Sequence, residues 1–445
     1  SLSVQRTCQN SPPTPVKKMS GPRIPHIAII PNAGMGHLTP LLRLASVLRS
    51  RNCNVTLIIA KPIVSIAEAN HISFFLSEHP EISHLEYQVL PPEPDSGADP
   101  FFLQYNAVRR SAHLIHPLLR SAAFSVVVCD FMTASSIPRF VAAELRVPCY
   151  VFSTTSARFL SFMIHLPTIL SKPERVDKKS SSFLEVPGLE PMDMSSLPAT
   201  FLIPNHFIPT DVTVTVNAFP EATGILMNSF EWFESETFSA LNNGSVSSSL
   251  PPVLPVGPLE GYELEKDQTG CLAWLAEQPR GSVVYVNFGS RTAMSDDQIK
   301  GLGKGLDQSG FRFLWVVKTS KVDKEDRGEL SHVLGDSFLD RTADKGLVLR
   351  EWVNQQEVLS HPSVGLFLSH CGWNSVMEAA EKGVPVLGWP QHGDQRLNAE
   401  VLEKAGLGRS ERSWGFGLER LVEGEEIAAK VVEMMGDGNL RTKTT

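Results

Sequence analysis

The sequence predicts an α/β fold made of two Rossmann-like domains that face each other across a cleft. Three observations predict it. Short apolar runs of strand length alternate with amphipathic stretches through both halves of the chain, as in parallel sheets with crossover helices. Composition shifts between Asn242 and Gly270, where NNGSVSSSLPPVLPVGPLEGYELEKDQTG has the Ser, Pro and Gly content of a linker. The length of 445 residues also exceeds what one core usually organises. The expected division is a disordered leader or cloning remnant over 1–23, a first domain over 24–250 and a second over 251–445.

The elements follow in order. HIAIIP (His26–Pro31) has the pattern of a buried strand. The glycine loop NAGMGH follows, then an amphipathic helix from about Pro40 to Arg49 and the strand NVTLIIA (Asn54–Ala60). SVVVCDF (Ser125–Phe131) and VPCYVFSTTSA (Val147–Ala157) read as further parallel strands with polar ends, and GILMNSF (Gly224–Phe230) as the last strand of this half. The second half opens with SVVYVNFGS and a helix capped near Ser295. FRFLWVV, GLVLREW and the stretch Trp352–Gln395 complete it.

Composition narrows the function classes. Hydrophobic residues make up 42% and charged residues 20%, as in a globular protein, and the net charge is −8 without a basic block. Nucleic acid is therefore not expected as a partner. No apolar run approaches the roughly 18 residues that span a bilayer, so no membrane insertion is expected. Cys8, Cys53, Cys129, Cys149, Cys271 and Cys371 are scattered, without a C-x-x-C pair. They read as free thiols of a cytoplasmic protein, expected to be a monomer.

Two groups of residues carry chemistry. Gly34-Met35-Gly36-His37 follows a strand and opens a helix, but a dinucleotide fingerprint would need a glycine where Thr39 stands and an acid at the end of the next strand. An NAD-dependent dehydrogenase is thus disfavoured. His37 remains, at the sheet edge beside a helix N-terminus. Asp130 ends a parallel strand at the same edge. It either fixes the tautomer of His37 and stabilises the imidazolium, or caps the helix that follows it.

In the second half, Ser290 follows a strand and offers its hydroxyl and amide to a phosphate. FLSHCGWNS places His370, a turn, and Asn374 and Ser375 at a helix start, a diphosphate cradle. Glu378 lies one turn beyond Asn374 and can accept both ribose hydroxyls. Trp352 either stacks on a base or fills the core. Asp394 and Gln395 either bond sugar hydroxyls or start the helix DQRLNAEVLEKAG. A Cys–His nucleophilic pair at His370-Cys371 is disfavoured, because adjacent residues rarely align sulfur and imidazole. DKED (Asp323–Asp326) reads as a solvated charge run, so no metal cofactor is expected.

These residues resemble the plant family 1 UDP-dependent glycosyltransferases. The 44 residues Trp352–Gln395 look like the family's signature box, with W first, HCGWNS in the middle and DQ last, and the similarity runs over about residues 24–440. The resemblance implies a GT-B fold, with the acceptor mainly in the first domain and the UDP-sugar mainly in the second. It also implies His37 as general base and Asp130 as its partner. Trp352 would stack on uracil, with Val353 and Gln355 near the base, and Glu378 would bind the ribose. Ser290, His370, Asn374 and Ser375 would meet the diphosphate, and Trp373, Asp394 and Gln395 the sugar. Gly36 belongs to the donor set, and the region Ser153–Thr155 should approach the sugar. The terminal glutamine resembles glucose-preferring members.

PNAGMGHLTPLLRLAS, DPFFLQY (Asp99–Tyr105), TTSARF and WPQHGDQ look more narrowly like the flavonoid C-glycosyltransferase branch. Here Asn354 replaces a usual proline, and Gly393 is expected to leave room near the sugar. Phe101, Phe102, Thr154 and Phe207, with Gly393, are the candidate acceptor contacts, although phenylalanines at such spacing are more often core. The expected function is inverting, metal-independent glucosyl transfer from UDP-glucose to an aromatic carbon of a polyphenol acceptor. O-glucosylation of a small phenol is the alternative. A UDP-sugar-binding protein without activity is a third reading, against which His37 and Asp130 stand.

Overall fold

A computed structural model describes residues 24–62, 65–91, 100–171, 182–203, 206–262, 267–318, 329–417, 419–438 and 440, the side chains of 100–102 excepted. The leader expected over 1–23 and the run Asp323–Asp326 lie outside these residues.

In the first half the chain runs β1 (His26–Ile30), α1 (Met35–Ser50), β2 (Asn54–Lys61), α2 (Ile66–Glu78), β3 (Ser83–Gln88), α3 (Pro100–Arg110), α4 (Ile115–Arg120), β4 (Val126–Asp130), α5 (Ile137–Phe140), β5 (Cys149–Ser153) and α6 (Ala157–Leu170). A short antiparallel ribbon follows, β6 (Phe183–Leu184) with β7 (Met192–Asp193), then α7 (Phe207–Asn217), β8 (Gly224–Met227), α8 (Ser235–Asn242) and β9 (Val253–Pro255). Seven strands form one parallel sheet in the order β3-β2-β1-β4-β5-β8-β9.

The second half runs α9 (Cys271–Ala276), β10 (Val283–Asn287), α10 (Asp296–Ser309), β11 (Arg312–Val316), α11 (Leu330–Leu334), α12 (Asp336–Thr342), β12 (Gly346–Leu349), α13 (Gln355–Ser360), β13 (Val364–Ser369), α14 (Trp373–Lys382), β14 (Val386–Gly388), α15 (Gln395–Lys404), β15 (Gly408–Ser410) and α16 (Gly424–Gly436). Its sheet is parallel too, in the order β12-β11-β10-β13-β14-β15. Both halves are doubly wound, and together they form the two-domain architecture of the GT-B type.

The central strands have apolar side chains on both faces because helices cover both faces. All six residues of β13 are buried, and so are four of five in β1 and β4. Of the edge strands, β3 is largely polar and β15 is three residues long, which is why continuous apolar runs do not reveal them. Ser295 caps α10 as expected, accepting from the Gln298 amide.

Two expectations need correction. Gly224–Phe230 does not end the first half: only Gly224–Met227 is strand, and β9 continues the sheet beyond it. The division expected between 250 and 251 thus falls just before a strand of the first sheet. The Asn242 side chain clamps that strand through both the amide and the carbonyl of Val253, at 2.8 and 2.9 Å. Helix α1 also begins at Met35, not near Pro40, so Pro40 sits inside it. A proline there withholds the amide hydrogen that would reach the carbonyl four residues back, that of Gly36.

Phe367 in β13 is fully buried and stacks on Tyr285 of β10, with centroids 4.9 Å apart. Replacing it by alanine should cost about 3–5 kcal/mol. The measurement is denaturant unfolding of the second half, followed by intrinsic fluorescence.

Candidate active site

In an open parallel sheet, ligands bind beyond the carboxyl ends of the strands where the strand order reverses. In the first sheet that point lies between β1 and β4, and in the second between β10 and β13. His37 and Asp130 follow β1 and end β4. Ser290 and His370 follow β10 and β13.

His37 stands in the first turn of α1, its side chain 19% exposed, and its Nδ1 lies 2.9 Å from Oδ2 of the fully buried Asp130. The other oxygen of Asp130 accepts the amide of Met132 at 2.9 Å. Both readings of Asp130 therefore hold at once: it orients the imidazole and caps the following turn. A carboxylate against Nδ1 puts the proton there and the lone pair on Nε2. Thr154 brings its Oγ1 within 3.2 Å of the same Nδ1.

In the second half the turn after β13 carries Cys371 in the left-handed region, with φ 64°, and Gly372 at the N-cap of α14. Cys371 is fully buried, and burial pushes its thiol far up, which suits a turn residue and not a nucleophile. The imidazole of His370 is wedged between glycines. A Cβ on Gly289 would stand 2.6 Å from its Nε2, and one on Gly372 2.5 Å. Burial first, and His392 second, lower its pKa to about 3, so it is neutral at physiological pH. His370 Nδ1 and Asn374 Oδ1 are buried polar atoms without a hydrogen-bond partner. They lie at the N-terminus of α14, where free amides attract an anion. Ser375 Oγ accepts from Gln355 Nε2 at 3.0 Å, and the same nitrogen donates to Glu378 Oε2 at 2.6 Å.

The halves meet at these residues. Asn374 Nδ2 donates to the Gly36 carbonyl at 3.3 Å, the carbonyl that Pro40 leaves without its helical partner. Thr155 Oγ1 donates to Asp394 Oδ2 at 2.8 Å, and Asn398 Nδ2 to the same oxygen at 2.9 Å. Asp394 stands at the N-cap of α15 yet makes no side-chain cap bond, so the helix-capping alternative does not describe it. Arg43 of α1 donates to Glu378 Oε1.

Several expected residues have side chains turned into the protein. Trp373 is 3% exposed, packs near Phe233 and gives its indole N–H to the Asn228 carbonyl, so its ring belongs to the core. The Val353 side chain is also core. Gln395 is 4% exposed, and its Oε1 accepts the amides of Gln391 and His392, which ties it to its own loop. Gly393 has φ 65°, and a Cβ there would meet nothing within 4 Å. That backbone conformation favours glycine, and the space beside it is open. Trp352, by contrast, is 53% exposed, a free plate and not a core ring. Phe207 is 45% exposed at the start of α7. Phe101 and Phe102 lie in α3, and their side chains fall outside the described residues.

Sequence reasoning overlooked Arg43 and Thr155 as partners of Glu378 and Asp394. Arg43 had a visible signal: a charge inside the apolar run LLRLA. Among the described residues no group of three or more His, Cys, Asp or Glu is arranged to hold a metal ion, and no helix is long and apolar enough to cross a membrane.

Comparison with known proteins places this geometry. The family model described as "UDP-glucoronosyl and UDP-glucosyl transferase" matches residues 250–412. UDP-glycosyltransferase 708C1 of Fagopyrum esculentum is 47% identical over 421 residues, covering 94% of this chain and 89% of that protein. The crystal structure of LpCGTa in complex with UDP superposes with a TM-score of 0.82 at 40% identity, covering 95% of this chain and 93% of that one. Phytolacca americana UGT2 complexed with UDP-2fluoro-glucose and pterostilbene gives 0.80 at 30% identity, covering 96% and 94%.

The state of His370 makes a pH prediction. Between pH 6.5 and about 3 the unfolded chain binds a proton that the native imidazole refuses. Stability must therefore fall as pH falls through that window, by at most about 1.4 kcal/mol per pH unit from this group. In His370→Asn the acid limb should be shallower by one proton, as read by urea unfolding at pH 7, 6 and 5.

Proposed function

The chain belongs to the plant family of UDP-dependent glycosyltransferases, and from that premise we propose how its residues carry out the transfer. The reaction is inverting, metal-independent transfer of glucose from UDP-glucose to an aromatic carbon of a flavonoid or related polyphenol. The observation that carries this reading is the His37–Asp130 pair at one switch point, bonded through Gly36 and Asn374 to the helix terminus at the other.

His37 Nε2 takes a phenolic proton, and Asp130 stabilises the imidazolium that results. Phenolate charge reaches the ortho carbon. That carbon bonds to the anomeric carbon of glucose while the bond to the diphosphate oxygen breaks and its electron pair leaves with UDP. The ring then gives the proton at the new bond to solvent water, its oxygen takes back the proton held by His37, and aromaticity returns. An α-linked donor so gives a β-C-glucoside. Phosphate charge is met by the N-terminus of α14, with Asn374, Ser375 and neutral His370, and by Ser290. Oriented donors in a cleft stabilise developing charge without moving. Trp352 stacks on uracil, and Gln355 lies beneath the base. Asp394 is the sugar contact, held by Thr155 and Asn398. Gln395 steadies the loop behind it, and Thr154 and Phe207 line the acceptor side.

Carbon attack is the reading favoured by the likeness to LpCGTa and by the WPQHGDQ ending; O-transfer would use the same base. The protein acts in the cytoplasm, where Cys53, Cys129, Cys149, Cys271 and Cys371 stay as the free thiols they are here.

Incubation with UDP-glucose and a phloretin-like acceptor should yield a product that survives acid hydrolysis and fragments within the sugar by mass spectrometry. An acid-labile product would sink carbon transfer and leave oxygen transfer. His37→Ala should lower kcat by about 10²–10⁴ with UDP affinity retained by calorimetry. Undiminished turnover would remove His37 from the mechanism.

A further inference from the structure

Arg43 lies among the buried side chains Leu41, Leu42, Leu44 and Ala45 of α1 and is itself only 4% exposed. A charge so deep requires a counter-charge. Two ionisable neighbours do not supply it. His71 of α2 and Tyr262 are hydrogen-bonded to each other. Burial, then Arg43, lower the His71 pKa to about 4, and burial raises that of the Tyr262 phenol. The counter-charge is Glu378 of α14, its side chain 7% exposed, whose Oε1 accepts from Arg43 Nη2.

The other oxygen of Glu378 is held as firmly. Gln355 Nε2 donates to Oε2 at 2.6 Å, and Gln355 Oε1 accepts from Asn287 Nδ2 at 3.0 Å. The carboxylate is thus gripped from both sides with one protein donor on each oxygen. A carboxylate offers about four lone-pair sites, which leaves acceptor capacity on both oxygens. The vicinal 2′- and 3′-hydroxyls of a ribose require that pattern.

We propose that Arg43 is a positioning residue for the donor nucleoside. Reaching across from the helix that carries His37, it holds the Glu378 carboxylate turned so that both oxygens meet the ribose diol. This rests on Glu378 being the ribose acceptor. It makes donor affinity depend on a side chain of the acceptor half, and so on how α1 is seated against α14.

The test is calorimetric titration of the whole chain with UDP and with 2′-deoxy-UDP, for the wild type, Arg43→Met, Arg43→Lys and Glu378→Ala. The wild type should prefer UDP by about tenfold or more, as for a hydrogen bond to a charged group. Arg43→Met should lose about tenfold in UDP affinity and much less for 2′-deoxy-UDP, so that the preference collapses. Its KM for the donor should rise while kcat at saturating donor holds. Arg43→Lys, with a charge but no fork, should fall between. An unchanged preference in Arg43→Met, or equal losses for both ligands, overturns the proposal. If Glu378→Ala also keeps the preference, the ribose assignment itself falls; if only Glu378→Ala abolishes it, Glu378 stands and Arg43 does not. Should Arg43→Met fail to fold, an unchanged preference in Arg43→Lys overturns the proposal by the same criterion.

Discussion

Every reactive group in the cleft owes its place to one constraint: strands of a parallel sheet all end at the same edge, and a reversal of strand order opens a gap there. The first sheet opens it between β1 and β4, the second between β10 and β13. Because the edges face each other, His37 and Asp130 come from one gap, and His370 and the α14 terminus from the other. The sheets must be buried on both faces for the strands to be this apolar. The polar residues are therefore left at the ends, where chemistry can use them.

That constraint also explains how much was legible in the sequence. Central strands are continuous apolar runs bounded by polar residues, so β1, β4, β10 and β13 and the residues at their ends could be read directly. The edges β3, largely polar, and β15, only three residues long, follow no such pattern. Side-chain direction was less legible than position. Trp352 and Trp373 share one motif, yet the first is exposed and the second lies in the core against Phe233. Only packing between the halves decides this, and no local pattern encodes it. Gly393 carries a related ambiguity: a missing side chain looks the same in sequence whether it serves space, a positive φ or both.

Contacts between the halves differ greatly in worth. Lys404 pairs with Glu190 and Glu236 in the open, all three side chains more than half exposed. Such pairs contribute about 0–1 kcal/mol and are screened by salt. Arg43 with Glu378 is buried, and removing one partner from such a pair typically costs about 3–5 kcal/mol, because it strands the other charge. Buried contacts thus set the register of the two halves. Thr155 with Asp394 adds direction between the halves, while the outer ion pairs follow.

Pro40 bears on how far the two halves can be exchanged between relatives. A proline in α1 withdraws one hydrogen from the first half, and Asn374 in the second half supplies one to the carbonyl of Gly36 that goes without it. The deficit and its remedy are encoded more than three hundred residues apart, on opposite sides of the linker. A chimaera that joins this first half to a second half with no amide donor at that place would leave a bare carbonyl one residue from His37. The base would keep its carboxylate and lose the neighbour that fixes its loop. Compatibility of graft partners is then a matter of hydrogen count across the seam, which overall sequence similarity does not report.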